Sequence, residues 1–145
     1  MAGIGVVIHD SEGEVIAALL ERISLPPSVE NVEAMACRRA MHFALEIGIQ
    51  DVVFEGDSEV IFKHLTSDSD CLAAFGNLVD DSRRAAANFI SCSFSHVKRK
   101  GNAVADNLAK LTKHSIAPQI WLEDIHSDEW CYQSCDSRQK FLLIQ

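Results

Sequence analysis

The chain has 145 residues, with 13 Lys and Arg against 21 Asp and Glu, a formal charge of −8, 48% hydrophobic and 23% charged residues. This is the composition of one globular domain, long enough to bury roughly 70% of its unfolded surface without disulfide or metal staples, and it excludes a disordered chain. The acidic balance excludes a generic basic nucleic-acid binder, so contact with phosphate has to be local.

From Gly3 to Ile8 an apolar run meets Asp10-Ser11-Glu12-Gly13, and Val15 to Ile23 is apolar again, which predicts two strands joined by a glycine-containing turn. Pro26-Pro27 stops the second strand, and Ser28 stands at an N-cap ahead of Val32, Met35, Ala36, Ala40, Phe43, Ala44 and Ile47 at helical spacing. Gly48 ends that helix. DVVFEGD (51–57) predicts a strand and tight turn leading into the amphipathic stretch EVIFKHL. A further helix is expected from about Leu72 to Asn88, then a strand from Ile90 to Val97 with Ile90, Cys92, Phe94 and His96 on one face. Gly101-Asn102 precedes a last helix with Val104, Leu108 and Leu111 on one side. Strands alternating with helices predict an α/β layer fold over residues 1–115. Periodicity fades beyond, so 116–145 is expected to be an irregular tail, loosely attached or outside the domain.

The apolar runs are too short to span a membrane, and the N-terminus lacks the basic flank and apolar core of a signal peptide. The expectation is an intracellular protein of nucleus or cytoplasm, not secreted and without a membrane partner. Five cysteines, Cys37, Cys71, Cys92, Cys131 and Cys135, form no regular framework, which points to a reducing compartment. His126, Cys131 and Cys135 lack a fourth ligand at finger-like spacing, so no zinc site is expected.

Three acids stand where chemistry is to be weighed against a plainer role. Glu33 borders the apolar stripe of its helix and is either an acid favoured by the helix dipole or a site residue. Asp57 closes a strand and opens a helix, as an N-cap or as a ligand group at a strand's carboxyl end. Asp106 has Lys110 four residues on, and is either half of a surface ion pair or a third site acid. Converging carboxylates suit hard divalent cations that take phosphate oxygens in their open positions. Between positions 98 and 113 five basic residues, Lys98, Arg99, Lys100, Lys110 and Lys113, face one acid, a local charge of +4 that is either a solvated face or a phosphate contact.

The order of elements and four local strings resemble the type 1 ribonuclease H domain, in the form common in plant retroelement-derived reverse-transcriptase-like genes. The strings are GIGVVIHDSEGEVI, VEAMACRRAMHFALEIGI, VVFEGDSEVI and FSHVKRKGNAVADNLAKL, in register over about 110 residues from Gly3 to Lys113, with an echo at IWLEDI. The resemblance implies a ribonuclease H-like mixed sheet flanked by helices. It also implies cleavage of the RNA strand of an RNA–DNA hybrid with two Mg²⁺ or Mn²⁺ ions held by carboxylates, here Glu33, Asp57 and Asp106. On the nucleic-acid side, local charge singles out Lys98, Arg99 and Lys100, and Ser58 and Asn102, which flank the acids, are expected substrate-side donors. His96 matches a strand position rather than the family's mobile loop histidine, and is read as a strand residue.

In the resembled family the first catalytic Asp lies on a central first strand upstream of the GIGVV string, whereas this sequence opens with Met1-Ala2 at that place. The expectation is an N-terminally truncated domain whose sheet stays open by roughly twice the usual strand spacing. Lower stability follows, or a strand supplied by a partner or a second copy. Asp10, in the turn between two strands, is no substitute for the missing acid. Two functional readings follow: a metal-dependent endoribonuclease acting on RNA–DNA hybrid or RNA, and a catalytically inactive nucleic-acid-binding or vestigial module. A small-ligand domain using Asp57 finds no phosphate-binding glycine loop to support it.

Overall fold

The computed structural model describes residues 2–10, 15–96, 119–122 and 139–144. Their elements run β1 (Ala2–His9), β2 (Val15–Ile23), α1 (Val29–Glu46), β3 (Asp51–Gly56), α2 (Glu59–Thr66), α3 (Gly76–Ala86), β4 (Ser91–His96), β5 (Gln119–Leu122) and β6 (Gln139–Ile144). The strands form one six-stranded mixed sheet in the order β4-β3-β6-β1-β2-β5. The helices pack against one face, α1 over β1 and β6 and α2 over β4, with all three in mutual contact.

The local signals explain the helices. Ser28 caps α1, its Oγ accepting from the Asn31 backbone N–H at 3.2 Å. The helix closes in a Schellman arrangement, with Ile49 N–H donating to Ala44 and Gly48 N–H to Leu45. Gly48 takes φ 84°, the left-handed conformation that this closure requires.

The core joins Ile4, Val6, Ile8, Leu19, Val52 and Phe54 of the sheet to Cys37, Ala40, Met41 and Ala44 of α1 and Ile61 and Phe62 of α2. Phe54 stacks on Phe94 with ring centroids 5.7 Å apart and meets the edge of Phe89 at 5.8 Å. Val7, Ala18 and Leu20, on the opposite face of β1 and β2, are buried as well. Both faces of this hairpin are therefore covered, and its sequence reads as a continuous apolar run rather than an alternating one.

The C-terminal segment departs from expectation. Residues 119–122 and 139–144 are strands of the sheet, whereas the whole of 116–145 was expected to be irregular. β5 adds to the outer edge of β2, and β6 enters the centre, antiparallel to β1 and parallel to β3. The sheet is neither open nor closed up between β1 and β3: the slot expected to be empty holds a strand of the same chain. The strand is short, and its apolar stretch FLLI is indistinguishable in sequence from any apolar tail.

Smaller differences have local causes. The helix expected from Leu72 starts at Gly76, because Leu72 is 95% exposed and the apolar stripe begins at Phe75. The strand expected from Ile90 starts at Ser91, and Ile90 is 75% exposed. The helix expected after Asn102, with Asp106 and the basic run from Lys98, lies outside the described residues.

Candidate nucleic-acid and carboxylate site

β3, β4 and β6 are parallel to one another and end together. Gly56 pairs with His96 on one side and with Leu143 on the other, so the next residue of β3, Asp57, emerges at the carboxyl ends of three strands. Ligand sites of α/β sheets form at such ends.

Of the sequence-predicted acids, Glu33 reaches the residue that follows Asp57. Ser58, not Asp57, is the N-cap of α2, accepting from Ile61 N–H at 3.4 Å. The same hydroxyl donates to Glu33 Oε2 at 2.5 Å and so ties α1 to the end of β3. Asp57 is thereby released from the capping role that the sequence left open. Among the described residues its carboxylate has no hydrogen-bond or ion-pair partner. Ser58, expected to be a substrate-side donor, has its proton engaged by Glu33.

His96 was read as an ordinary strand residue, but its Nε2 lies 3.1 Å from the Asp57 carbonyl oxygen and donates to it. This backbone bond braces the turn that carries Asp57. The parallel register of β3 and β4, which puts His96 opposite Gly56, has no counterpart in the periodicity of either strand. One turn below Glu33, the Cys37 thiol is pushed far above its usual range by burial, and the Glu33 carboxylate adds to the effect. It is therefore an inert, protonated core group.

Asp10 is at the opposite end of the sheet. Gly5 pairs with Ile144 beside Asp57, whereas His9 pairs with Lys140, four rungs away. The sequence of β6, QKFLLI, contains no acid, and Ile144 stands one rung beyond the pairing of Leu143 with Gly56. Two cations about 3.5–4 Å apart need shared and terminal carboxylates. The described residues bring two carboxylates, Glu33 and Asp57, and no group of three or more acidic, histidine or cysteine side chains able to hold a metal occurs among them. Glu33 and Asp57 supply two of the three carboxylates expected to hold the ions. Asp106, Lys98, Arg99, Lys100 and Asn102 lie outside the described residues, as do Cys131, Cys135 and His126. Among the described residues no helix is long and apolar enough to cross a membrane.

Among the described residues, the mixed sheet, the helices on one of its faces and the acid that follows its inner parallel strand are those of a ribonuclease H-like domain. Two solved structures share it. Ribonuclease H1 from the halophilic archaeon Halobacterium salinarum is 27% identical, with a TM-score of 0.69, over 74% of this chain and 82% of that one. The N-terminal ribonuclease H domain of rv2228c from Mycobacterium tuberculosis, solved as a fusion with maltose-binding protein, superposes with a TM-score of 0.68 at 19% identity, over 74% of this chain and 78% of that one; this likeness is one of fold. The family described as "Reverse transcriptase-like" matches residues 1–112, and the chain belongs to it. No curated protein matches the chain in sequence.

Proposed function

We propose that this chain is a ribonuclease H-like module that binds an RNA–DNA hybrid, or structured RNA, across the carboxyl ends of β3, β4 and β6 and leaves it uncut. The observation that carries this reading is β6. The central strand is supplied by QKFLLI, which completes the sheet but brings no carboxylate to the rung beside Asp57. Two-ion hydrolysis needs that charge, and each 1.36 kcal/mol of lost transition-state stabilisation is about tenfold in rate. Affinity comes from Lys98, Arg99 and Lys100 on phosphates, with Asn102 beside them, and steers the acidic chain by local rather than net charge.

A second reading is favoured by one observation, the freedom of the Asp57 carboxylate from helix capping. In it Glu33, Asp57 and Asp106 hold Mg²⁺ or Mn²⁺ for endonucleolytic cleavage of the RNA strand. Titration of a labelled hybrid at several salt concentrations tests the binding. The expected result is a salt-dependent affinity that falls when Lys98, Arg99 and Lys100 are replaced together by alanine, with the slope of log affinity against log salt shallower by about 2–3. No hybrid or RNA binding by the folded chain would overturn the reading.

A further inference from the structure

A second concavity opens at the same end of the sheet as Asp57. Ile4 pairs with Glu21 and Ala2 with Ile23, while the neighbouring Gly5 pairs with Ile144 next to the carboxylate site. Here α1 and the ends of β1 and β2 enclose a cleft of about 380 Å³. Its floor is apolar, from Ile4, Ile23 and Met35, and its rim holds Glu21, Arg38, Arg39, His42 and Glu46.

The rim is built, and it is electrically balanced. Arg39 Nε donates to Glu21 at 2.7 Å and its Nη1 lies 3.5 Å from Glu46, so the guanidinium is clamped between two carboxylates. Arg38 is held at 3.4 Å by Asp81. A clamped fork loses little entropy on binding and still has N–H donors to offer, beside carboxylate oxygens that accept. Two cations facing two anions do not attract a phosphate. They suit a neutral, planar group that has an apolar face and carries acceptors and donors on adjacent edges. A nucleobase has this chemistry, and guanine fits best, with O6 and N7 for the guanidinium and N–H groups for a carboxylate.

The cleft is also within reach of the carboxylate site. Met35, Arg38, Arg39, His42 and Glu46 form one stripe of the helix that carries Glu33, and Arg38 and His42 lie about 8 and 14 Å along the axis from it. We propose that this cleft is a base-binding subsite that takes one unpaired guanine of a nucleic-acid strand lying across the sheet end. The assignment rests on the nucleic-acid-binding reading above, and names a part of the ligand that phosphate contacts do not read.

The test uses the full chain and free nucleosides, so it does not depend on hybrid binding. Guanosine, adenosine, cytidine and uridine, with inorganic phosphate alongside, are titrated while backbone amide NMR shifts are followed. Guanosine is expected to give saturable shifts at residues 21–23 and 35–46, with the other nucleosides weaker and phosphate silent there. Met35→Trp, which fills the cleft, is expected to abolish the shifts. Arg39→Lys, which keeps the ion pairs but loses the planar fork, is expected to weaken guanosine about tenfold. Absence of nucleoside shifts, equal competition by phosphate, or unaltered guanosine binding in a folded Met35→Trp or Arg39→Lys chain would overturn the subsite. Nucleoside binding without hybrid binding would overturn the parent reading and leave the cleft standing.

Discussion

Ser58 acts through one oxygen in two directions, accepting from the Ile61 N–H and donating to Glu33. Ser58→Ala is expected to cost about 1–2 kcal/mol in urea unfolding, the upper part of the N-cap range, because the cap and the Glu33 bond are lost together. Two glycines separate conformational strain from steric strain. Gly48→Ala meets open space but an unfavourable φ, and is expected to cost about 1 kcal/mol, part of which Gly48→Asn recovers. At Gly76 a Cβ would collide with the Cys71 carbonyl oxygen, so Gly76→Ala requires the start of α3 to shift and is expected to cost more. The buried thiols set an alkaline limit. Burial pushes Cys92 up to about 11 and Cys37 further still. Below the ordinary thiol value near 9.0 both states hold these protons and neither thiol affects the pH dependence. Above it the unfolded chain releases protons that the fold retains, so stability falls as pH rises, by up to about 1.4 kcal/mol per pH unit for Cys37. Cys37→Ala is expected to flatten that fall in unfolding curves taken between pH 9 and 11, with Cys92→Ala adding a smaller effect.

Elements were legible in the sequence where a local device marks them. Ser28 and Gly48 bracket α1, and Gly56-Asp57-Ser58 marks the strand-to-helix turn, because caps and turns are short-range chemistry. β6 was not legible, since the slot it fills is created by residues more than eighty positions earlier in the chain. The family strings implied that Glu33 and Asp57 share a site but not that Ser58 bonds Glu33, and the contact of His96 with Asp57 depends on a strand register that periodicity does not encode. Among the described residues β6 also joins halves of the sheet that share no other strand pairing, β4-β3 and β1-β2-β5. Leu142→Pro removes a ladder donor in a central strand, and is expected to cost about 3 kcal/mol or more in thermal unfolding. Stability equal to that of the parent chain would show that β6 does not carry the sheet.

At the scale of the whole molecule, fold and catalytic equipment separate. The described sheet is helix-covered, the chain belongs to the reverse transcriptase-like family, and Glu33 and Asp57 stand at the expected end; β6 supplies the central strand without a carboxylate. With a net charge of −8, our proposal assigns nucleic-acid binding to a local basic run and to a base cleft on α1. The decisive measurement is incubation of a labelled RNA–DNA hybrid with the full chain in Mg²⁺ and in Mn²⁺, with binding followed in the same samples and Asp57→Asn alongside. The expected result is a bound hybrid whose RNA strand stays intact. Metal-dependent cutting that Asp57→Asn abolishes would contradict it, and would show that the carboxylates remaining without one on β6 suffice for hydrolysis.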